Sequence, residues 1–205
     1  MPRWEAGADA RLTRAAYELY FERGFENVTV AEIAARAGLT KRTFFRYFAD
    51  KREVLFSGAP AFQDTVVRAI VDAPRGVAPI DAVVAALAAG GTGLTELGEG
   101  ARGRQRIIDS SPDLQEREMI KMAALTAAIG GALQQREVPE SAASLTAQAG
   151  VAIFQTAFER WSGQEGDVDF SHLMHEALDE LRTAIRPADG AAAGAPPATS
   201  GLRNA

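Results

Sequence analysis

Apolar side chains recur at spacings of three and four residues along most of this 205-residue chain. The pattern is clear near the start, at Leu12, Ala15, Ala16, Leu19 and Tyr20, and near the end, at Leu173, Met174, Ala177, Leu178, Leu181 and Ile185. Such spacing places apolar groups on one face of a helix, whereas a strand requires alternation with a period of two, and no sustained alternation occurs. The sequence therefore predicts an all-α fold with about nine helices.

Glycine and proline residues indicate how these helices are grouped. The turn signals at 58–60 close an N-terminal unit, so we predict one domain over residues 1–56 and a larger helical domain over 57–186. Residues 187–205 consist mainly of Ala, Gly and Pro, and they have too few large apolar side chains to offset the entropy lost on ordering. We expect a disordered tail there.

The composition argues against catalysis. The chain has no cysteine and no Gly-x-Ser-x-Gly motif, so a thiolate nucleophile, a Cys-ligated metal and a serine nucleophile elbow have no support. The two histidines, His172 and His175, stand three apart at a predicted helix start, where solvated side chains are the more common case. We predict no enzyme, no cofactor and no metal site.

Two further segments favour a plain structural interpretation. Residues 90–93, Gly-Gly-Thr-Gly, are not followed by Gly-Lys-Ser/Thr, so we expect a helix interruption and not a phosphate loop. The most apolar stretch, residues 76–95, is rich in glycine and alanine and is too weakly hydrophobic to span a bilayer. The N-terminus carries charges without the apolar core of a signal peptide, so we expect a cytoplasmic protein without a membrane partner.

Charge is distributed unevenly. The formal net charge is -5, yet residues 1–56 contain ten basic and eight acidic residues. Within residues 36–52 there are six basic residues and one acidic residue, and the basic ones are Arg36, Lys41, Arg42, Arg46, Lys51 and Arg52. Such a polarised patch indicates a polyanionic partner.

The same stretch has the signals of a helix-turn-helix. Thr29 and Glu32 form a capping box that starts one helix, Gly38 supplies the turn, and Thr40 caps a second helix from Lys41 to about Phe48. Asp50 and Glu53 form another capping box, which predicts a further helix starting near Lys51. The second helix would enter a major groove with its N-terminal residues near base edges, while free N–H groups at the neighbouring helix starts would bind phosphates.

Residues 28–55 resemble the DNA-binding domain of the TetR family of transcriptional regulators, whose pattern is roughly TxxxIAxxAGVSxxTxYxYFxxKxxL. The resemblance implies a homodimer that binds a double-stranded DNA operator and a small-molecule effector. Position by position, it implies backbone contacts from Thr29, Thr40, Thr43, Tyr47 and Lys51, with Lys41 and Arg42 close to bases. Phe45 replaces the usual tyrosine, so apolar contact with a thymine methyl replaces a phenolic hydrogen bond. Arg36, in the basic patch, completes the predicted DNA-binding set.

The C-terminal domain is where the family binds its effector. Residues 42–48, 104–114 and 158–161 resemble an actinobacterial TetR branch with acyl-CoA-like effectors, which implies a repressor released by an apolar or acyl-type ligand. Arg102, Arg104 and Arg106 are candidates for an anionic head group. The predicted ligand-binding residues are Arg106, Met119, Met122, Phe154, Phe158 and Trp161. The alternative is an architectural or adaptor protein that has the helix-turn-helix but no effector.

Overall fold

A computed structural model describes residues 7–95, 98–164, 166 and 168–186, and that part of the chain contains nine α-helices and one short 3₁₀ helix, with no strand. The all-α prediction is confirmed. Residues 1–6 and the predicted tail at 187–205 lie outside the described residues. The helices are α1 (Ala8–Arg23), α2 (Val30–Arg36), α3 (Lys41–Tyr47), the 3₁₀ helix (Glu53–Phe56), α4 (Ala59–Asp72), α5 (Pro79–Thr95), α6 (Glu99–Asp109), α7 (Pro112–Gln135), α8 (Glu140–Gly163) and α9 (Phe170–Ala184).

The N-terminal helices close around a small apolar core. Leu12 and Leu19 of α1, Ile33 of α2 and Phe44 of α3 are almost fully buried in it. Three residues from later in the chain, Ile107, Ile108 and Leu114, belong to the same core. Helices α1 to α3 and the 3₁₀ helix therefore rest on the α6–α7 corner, which completes a core that their own side chains leave open.

A second and larger core lies among α4, α5, α7, α8 and α9. The two 24-residue helices α7 and α8 pack on each other, and α5 packs against α4, α8 and α9. Leu87, Ile129, Leu133 and Met174 are fully buried there. Burial of side chains of this size contributes roughly 1.5–3 kcal/mol each, so packing and not helix propensity stabilises this domain.

The glycine-rich stretch at 90–93 lies inside α5, so the predicted helix interruption is wrong. Two of its three glycines are needed for close packing. A Cβ at Gly91 would lie 2.1 Å from the ring of Phe170, and one at Gly90 would lie 2.9 Å from the ring of Phe62. Helix α5 continues because two phenylalanine rings pack where side chains would otherwise stand.

The predicted helix near Lys51 is a single 3₁₀ turn, and the next α-helix begins at Ala59. Asp50 Oδ1 does accept hydrogen bonds from the backbone N–H groups of Arg52 and Glu53, at 2.8 and 3.2 Å. The Glu53 carboxylate does not return to the cap, because it binds Arg117 and Lys121 of α7 instead. The Asp50 half of the capping box therefore forms, whereas the Glu53 carboxylate links the 3₁₀ helix to α7.

Among the helices that the structure describes, none combines the length and the apolar character needed to cross a bilayer.

Candidate functional site

The turn between α2 and α3 is built as the sequence predicts. The Thr29 hydroxyl accepts a hydrogen bond from the Glu32 backbone N–H, and the Glu32 carboxylate accepts one from the Thr29 backbone N–H at 2.8 Å. The Thr29 hydroxyl also lies 2.8 Å from the Glu32 carboxylate and donates to it. This hydrogen bond, followed by the one from the Thr29 backbone N–H, lowers the pKa of Glu32. Gly38 adopts a φ of 67°, in the left-handed region that the turn requires. The Thr40 hydroxyl then caps α3 by accepting from the Thr43 N–H at 3.1 Å.

Helix α3 has one buried face and one exposed face. Phe44 and Phe48 are buried in the N-terminal core, with their rings 5.5 Å apart. Lys41, Arg42 and Phe45 point outward, and Phe45 leaves 49% of its surface exposed although it is a large apolar residue. A basic first turn beside an exposed aromatic ring is the composition expected of a helix that enters a major groove.

Arg42 has no hydrogen-bond or ion-pair partner among the described residues, so its guanidinium is available to an external acceptor. Lys41 lies 5.8 Å from the centre of the Phe45 ring. Tyr47 is half-buried against the core and its hydroxyl accepts a hydrogen bond from Arg46 at 3.2 Å. Thr43 is also partly buried, with its hydroxyl 2.9 Å from that of Thr40.

Two of the predicted DNA-binding cations have partners inside the protein. Arg36 pairs with both carboxylate oxygens of Glu22 at 2.9 Å and also contacts Glu18, and these hydrogen bonds raise its pKa. The Lys51 ammonium donates to the carbonyl oxygens of Phe25 at 2.8 Å and Val28 at 3.0 Å, and it lies 4.2 Å from the centre of the Phe25 ring. In this conformation both side chains hold the N-terminal helices together, so the geometry does not favour a DNA contact by Arg36 or a phosphate contact by Lys51.

A cavity of about 790 Å³ lies where the N-terminal helices meet the larger domain. Its apolar wall includes Phe62 of α4, Met122 of α7, and Phe154 and Phe158 of α8. The rings of Phe62 and Phe154 are 5.5 Å apart, and those of Phe154 and Phe158 are stacked at 6.1 Å. Its size and aromatic lining are typical of a small-molecule site.

Three of the six predicted ligand residues line this cavity, namely Met122, Phe154 and Phe158. Met119 is 65% exposed, because it faces solvent one turn before Met122. Arg106 points outward beside Glu99, since its neighbours Ile107 and Ile108 occupy the buried face of α6. Trp161 is buried behind Phe158. These last three side chains do not line the cavity.

The predicted arginine cluster on α6 divides in a similar way. Arg104 lines the cavity, whereas the Arg102 guanidinium stacks over the Trp161 ring at 4.4 Å and donates to the Gly166 carbonyl. Sequence reasoning missed the contributions of α1 and the 3₁₀ helix, which are Thr13, Tyr17, Leu55 and Phe56. A helical spacing pattern identifies a face of one helix, but it does not reveal which distant helices share a cavity.

Tyr17 brings a polar group from α1 into the cavity. Burial raises its pKa, an effect that the nearby charge of Arg104 reduces, so the phenol stays protonated near neutral pH and is able to donate a hydrogen bond. A ligand in the cavity would thus touch the N-terminal unit directly.

Three polar links join the α6–α7 corner to the N-terminal unit. Arg104 Nε donates to the Leu55 carbonyl at 2.7 Å. The buried Ser111 hydroxyl donates to the Glu26 carboxylate at 2.7 Å. The third link is the binding of Arg117 and Lys121 by Glu53. The α6–α7 corner is thus tied to the 3₁₀ helix and to the segment between α1 and α2.

The two histidines lie on the exposed side of α9. His172 contacts Glu176 at 3.1 Å, and His175 Nδ1 lies 2.7 Å from the Ser171 carbonyl. Within the described part of the chain, no group of three His, Cys, Asp or Glu side chains is arranged to hold a metal ion.

Two family models match separate stretches of the chain. Residues 12–57 match the family model of bacterial regulatory proteins of the tetR family, and residues 77–186 match the model of the MftR C-terminal domain. The chain is 27% identical over 181 residues to MftR of Mycobacterium tuberculosis, covering 85% of this chain and 89% of that protein. It is 37% identical to the transcriptional regulator TcmR of Streptomyces glaucescens, but over 79 residues, which are 35% of that protein.

Solved structures share the fold at low identity. FadR of Thermus thermophilus, a repressor crystallised with lauroyl-CoA, has a TM-score of 0.53 at 19% identity, over 91% of this chain and 100% of that one. SmeT of Stenotrophomonas maltophilia, in complex with triclosan, has a TM-score of 0.63 at 19% identity, over 87% and 91% of the two chains. The chain belongs to the TetR family of DNA-binding transcriptional regulators, with a C-terminal domain of the MftR type.

Proposed function

We propose that this regulator reads its operator with α3. The observation that carries the proposal is the exposed first turn of α3, where Arg42 has no partner within the described part of the chain. Lys41 and Arg42 are placed to reach base edges, and Phe45 is placed to contact a thymine methyl. Thr29, Thr40 and Thr43 stand at the starts of α2 and α3, where backbone N–H groups and hydroxyls bind phosphates.

The experiment is a comparison of two arginine variants on two DNA sequences. The operator is first selected from a random duplex library with the wild-type protein, and a scrambled duplex of the same composition serves as reference. A good bidentate contact between Arg42 and a base predicts a loss of roughly 1–3 kcal/mol per half-site for Arg42→Ala on the operator, with little change on scrambled DNA. Arg36→Ala, which removes a charge already bound by Glu22, is the matched control. If Arg42→Ala lowers the affinity for operator and for scrambled DNA equally, Arg42 contacts the DNA backbone and does not read a base.

We further propose that the protein acts as a homodimer, paired through α8 and α9. Leu145 on α8 is 68% exposed, and Leu181 and Ile185 at the end of α9 are 37% and 72% exposed. A two-fold pair of these helices would cover such residues and place two copies of α3 in successive major grooves. Sedimentation at micromolar concentration tests this, because a monomer of 21.8 kDa would contradict it.

Repression relieved by a small apolar ligand is the regulatory mode that the cavity supports. The cavity is walled by α1 and the 3₁₀ helix on one side and by α6, α7 and α8 on the other. A ligand that moves α6 would disturb the Arg104–Leu55 and Ser111–Glu26 links, and with them the position of α3. A coupling of roughly 1–3 kcal/mol corresponds to about 5- to 150-fold in operator affinity. An adaptor without an effector would not require this cavity.

A further inference from the structure

The charge of the effector cavity narrows the class of ligand it accepts. Besides its aromatic wall, the described part of the cavity lining contains three carboxylates, Asp109, Glu118 and Glu159, and one basic residue, Arg104. Asp109 and Glu159 are exposed to solvent as well as to the cavity. Arg104 is already engaged, because it donates to the Leu55 carbonyl and lies 3.6 Å from Glu118. The remaining carboxylates, Asp109 and Glu159, have no cationic partner among the described residues. The lining thus carries a surplus of negative charge.

The aromatic wall, like these carboxylates, favours a positively charged ligand. Phe62, Phe154 and Phe158 form a continuous row of rings along the cavity. The face of an aromatic ring carries partial negative charge and attracts a cation within about 6 Å of its centre. A carboxylate or phosphate at the same place would be repelled by Glu159 and would find no free cation in the described lining. An apolar cation satisfies the rings and the carboxylates together.

One further polar group in the lining, Gln105, suits a ligand that donates a hydrogen bond. The Gln105 amide N–H groups donate hydrogen bonds to Asp109 at 2.9 Å and to Glu118 at 3.4 Å. Its side-chain carbonyl oxygen is buried and has no hydrogen-bond partner among the described residues. Gln105 lines the cavity, and its carbonyl oxygen can only accept a hydrogen bond. An ammonium or other N–H group is the complement of this oxygen.

We infer that the effector is a lipophilic cation of aromatic or similarly bulky shape, and not an anionic acyl compound. The inference rests on the proposed function of the cavity and specifies its ligand. It also differs from the expectation of an acyl-CoA-like effector, which the resemblance of three short segments implied.

The test uses two probes of equal shape and opposite charge, tetraphenylphosphonium and tetraphenylborate, with lauroyl-CoA as a third. Calorimetric titration of the full chain measures binding of each probe. We expect tetraphenylphosphonium to bind at least tenfold more tightly than either anion. Tighter binding of tetraphenylborate or lauroyl-CoA, or no binding of the cation, would overturn the inference.

A matched pair of variants locates the effect. Glu159→Gln should weaken binding of the cation by roughly two- to fivefold, as expected for one partly solvated charge. Glu140→Gln makes the same change in net charge on the same helix, about 28 Å further along its axis, and should have no effect. Equal effects of the two variants would mean that the cation responds to overall charge and not to the cavity, which would contradict the inference.

Operator release is measured separately with the same probes. If the cation binds in a Glu159-dependent manner but leaves the DNA bound, the inference about ligand class stands and the proposed coupling fails. If lauroyl-CoA binds more tightly and releases the operator, the proposed function stands and the inference about charge is wrong.

Discussion

Replacement of Lys51 by methionine tests whether this residue stabilises the fold or binds DNA. Its ammonium donates to the carbonyl oxygens of Phe25 and Val28 and, at 3.4 Å, to that of Glu26, and it stacks on the Phe25 ring. Hydrogen bonds to a charged group contribute roughly 1.5–3 kcal/mol, and a partly desolvated cation–π contact adds about 1 kcal/mol. Because the side chain is partly solvated, we expect Lys51→Met to lower the free energy of unfolding by about 2–4 kcal/mol in total.

The DNA-binding assay gives the second half of this prediction. Each phosphate contact contributes about -0.9 to the slope of log affinity against log salt, so an ammonium on DNA in both halves of a dimer would contribute about -1.8. Lys51→Met should leave the slope nearly unchanged at a temperature where the variant is folded. Lys41→Met, on the exposed face of α3, is the matched control, and its stability should change by less than about 0.5 kcal/mol. A flatter slope with unchanged stability for Lys51→Met would refute the structural role.

Three further outcomes follow from contacts elsewhere in the molecule. Gly91→Ala should destabilise the protein by roughly 1–3 kcal/mol in chemical denaturation because its methyl meets Phe170, whereas Gly93→Ala, with nothing within 4 Å, should be neutral or stabilising. Ser111→Ala should reduce operator release by tetraphenylphosphonium by up to about fivefold, while the affinity for the probe measured by calorimetry stays the same. Ser110→Ala is the control and should change neither quantity, because the Ser110 hydroxyl donates to the Ile107 carbonyl of the same helix. Folding lowers the pKa of Glu32 below its ordinary value of 4.5. The ionised carboxylate therefore stabilises the fold fully above pH 4.5, and this stabilisation is lost as the pH falls through the lower pKa of the folded state. Glu32→Gln should make the melting temperature fall less steeply as the pH is lowered.

Local signals predicted local structure well. The Thr29–Glu32 capping box, the glycine turn at Gly38 and the Thr40 cap are all present, because each depends on residues within four positions of one another. The spacing of Phe44 and Phe48 likewise identified the buried face of α3. The helix boundaries and the buried face of α3 were therefore largely predictable from the sequence.

Features that depend on distant contacts were predicted less well. Lys51 was assigned to a phosphate because it stands near a helix start, yet its partners, Phe25 to Val28, lie more than twenty residues earlier. The Glu53 carboxylate binds Arg117 and Lys121 instead of completing its capping box. Helix α5 runs through three glycines, and Phe62 and Phe170 fill the space beside two of them. The cavity combines residues from six elements, so no single helical pattern could identify its lining.

The central claim is that the cavity and the DNA-reading helix are coupled. Linkage requires that operator and ligand weaken each other's binding by the same factor. The direct measurement is calorimetric titration of whichever of tetraphenylphosphonium and lauroyl-CoA binds more tightly, into the protein alone and into the protein saturated with operator. We expect bound operator to weaken the affinity for the ligand by about 5- to 150-fold, and we expect the ligand to weaken the affinity for the operator by the same factor. Equal ligand affinity with and without operator would contradict it.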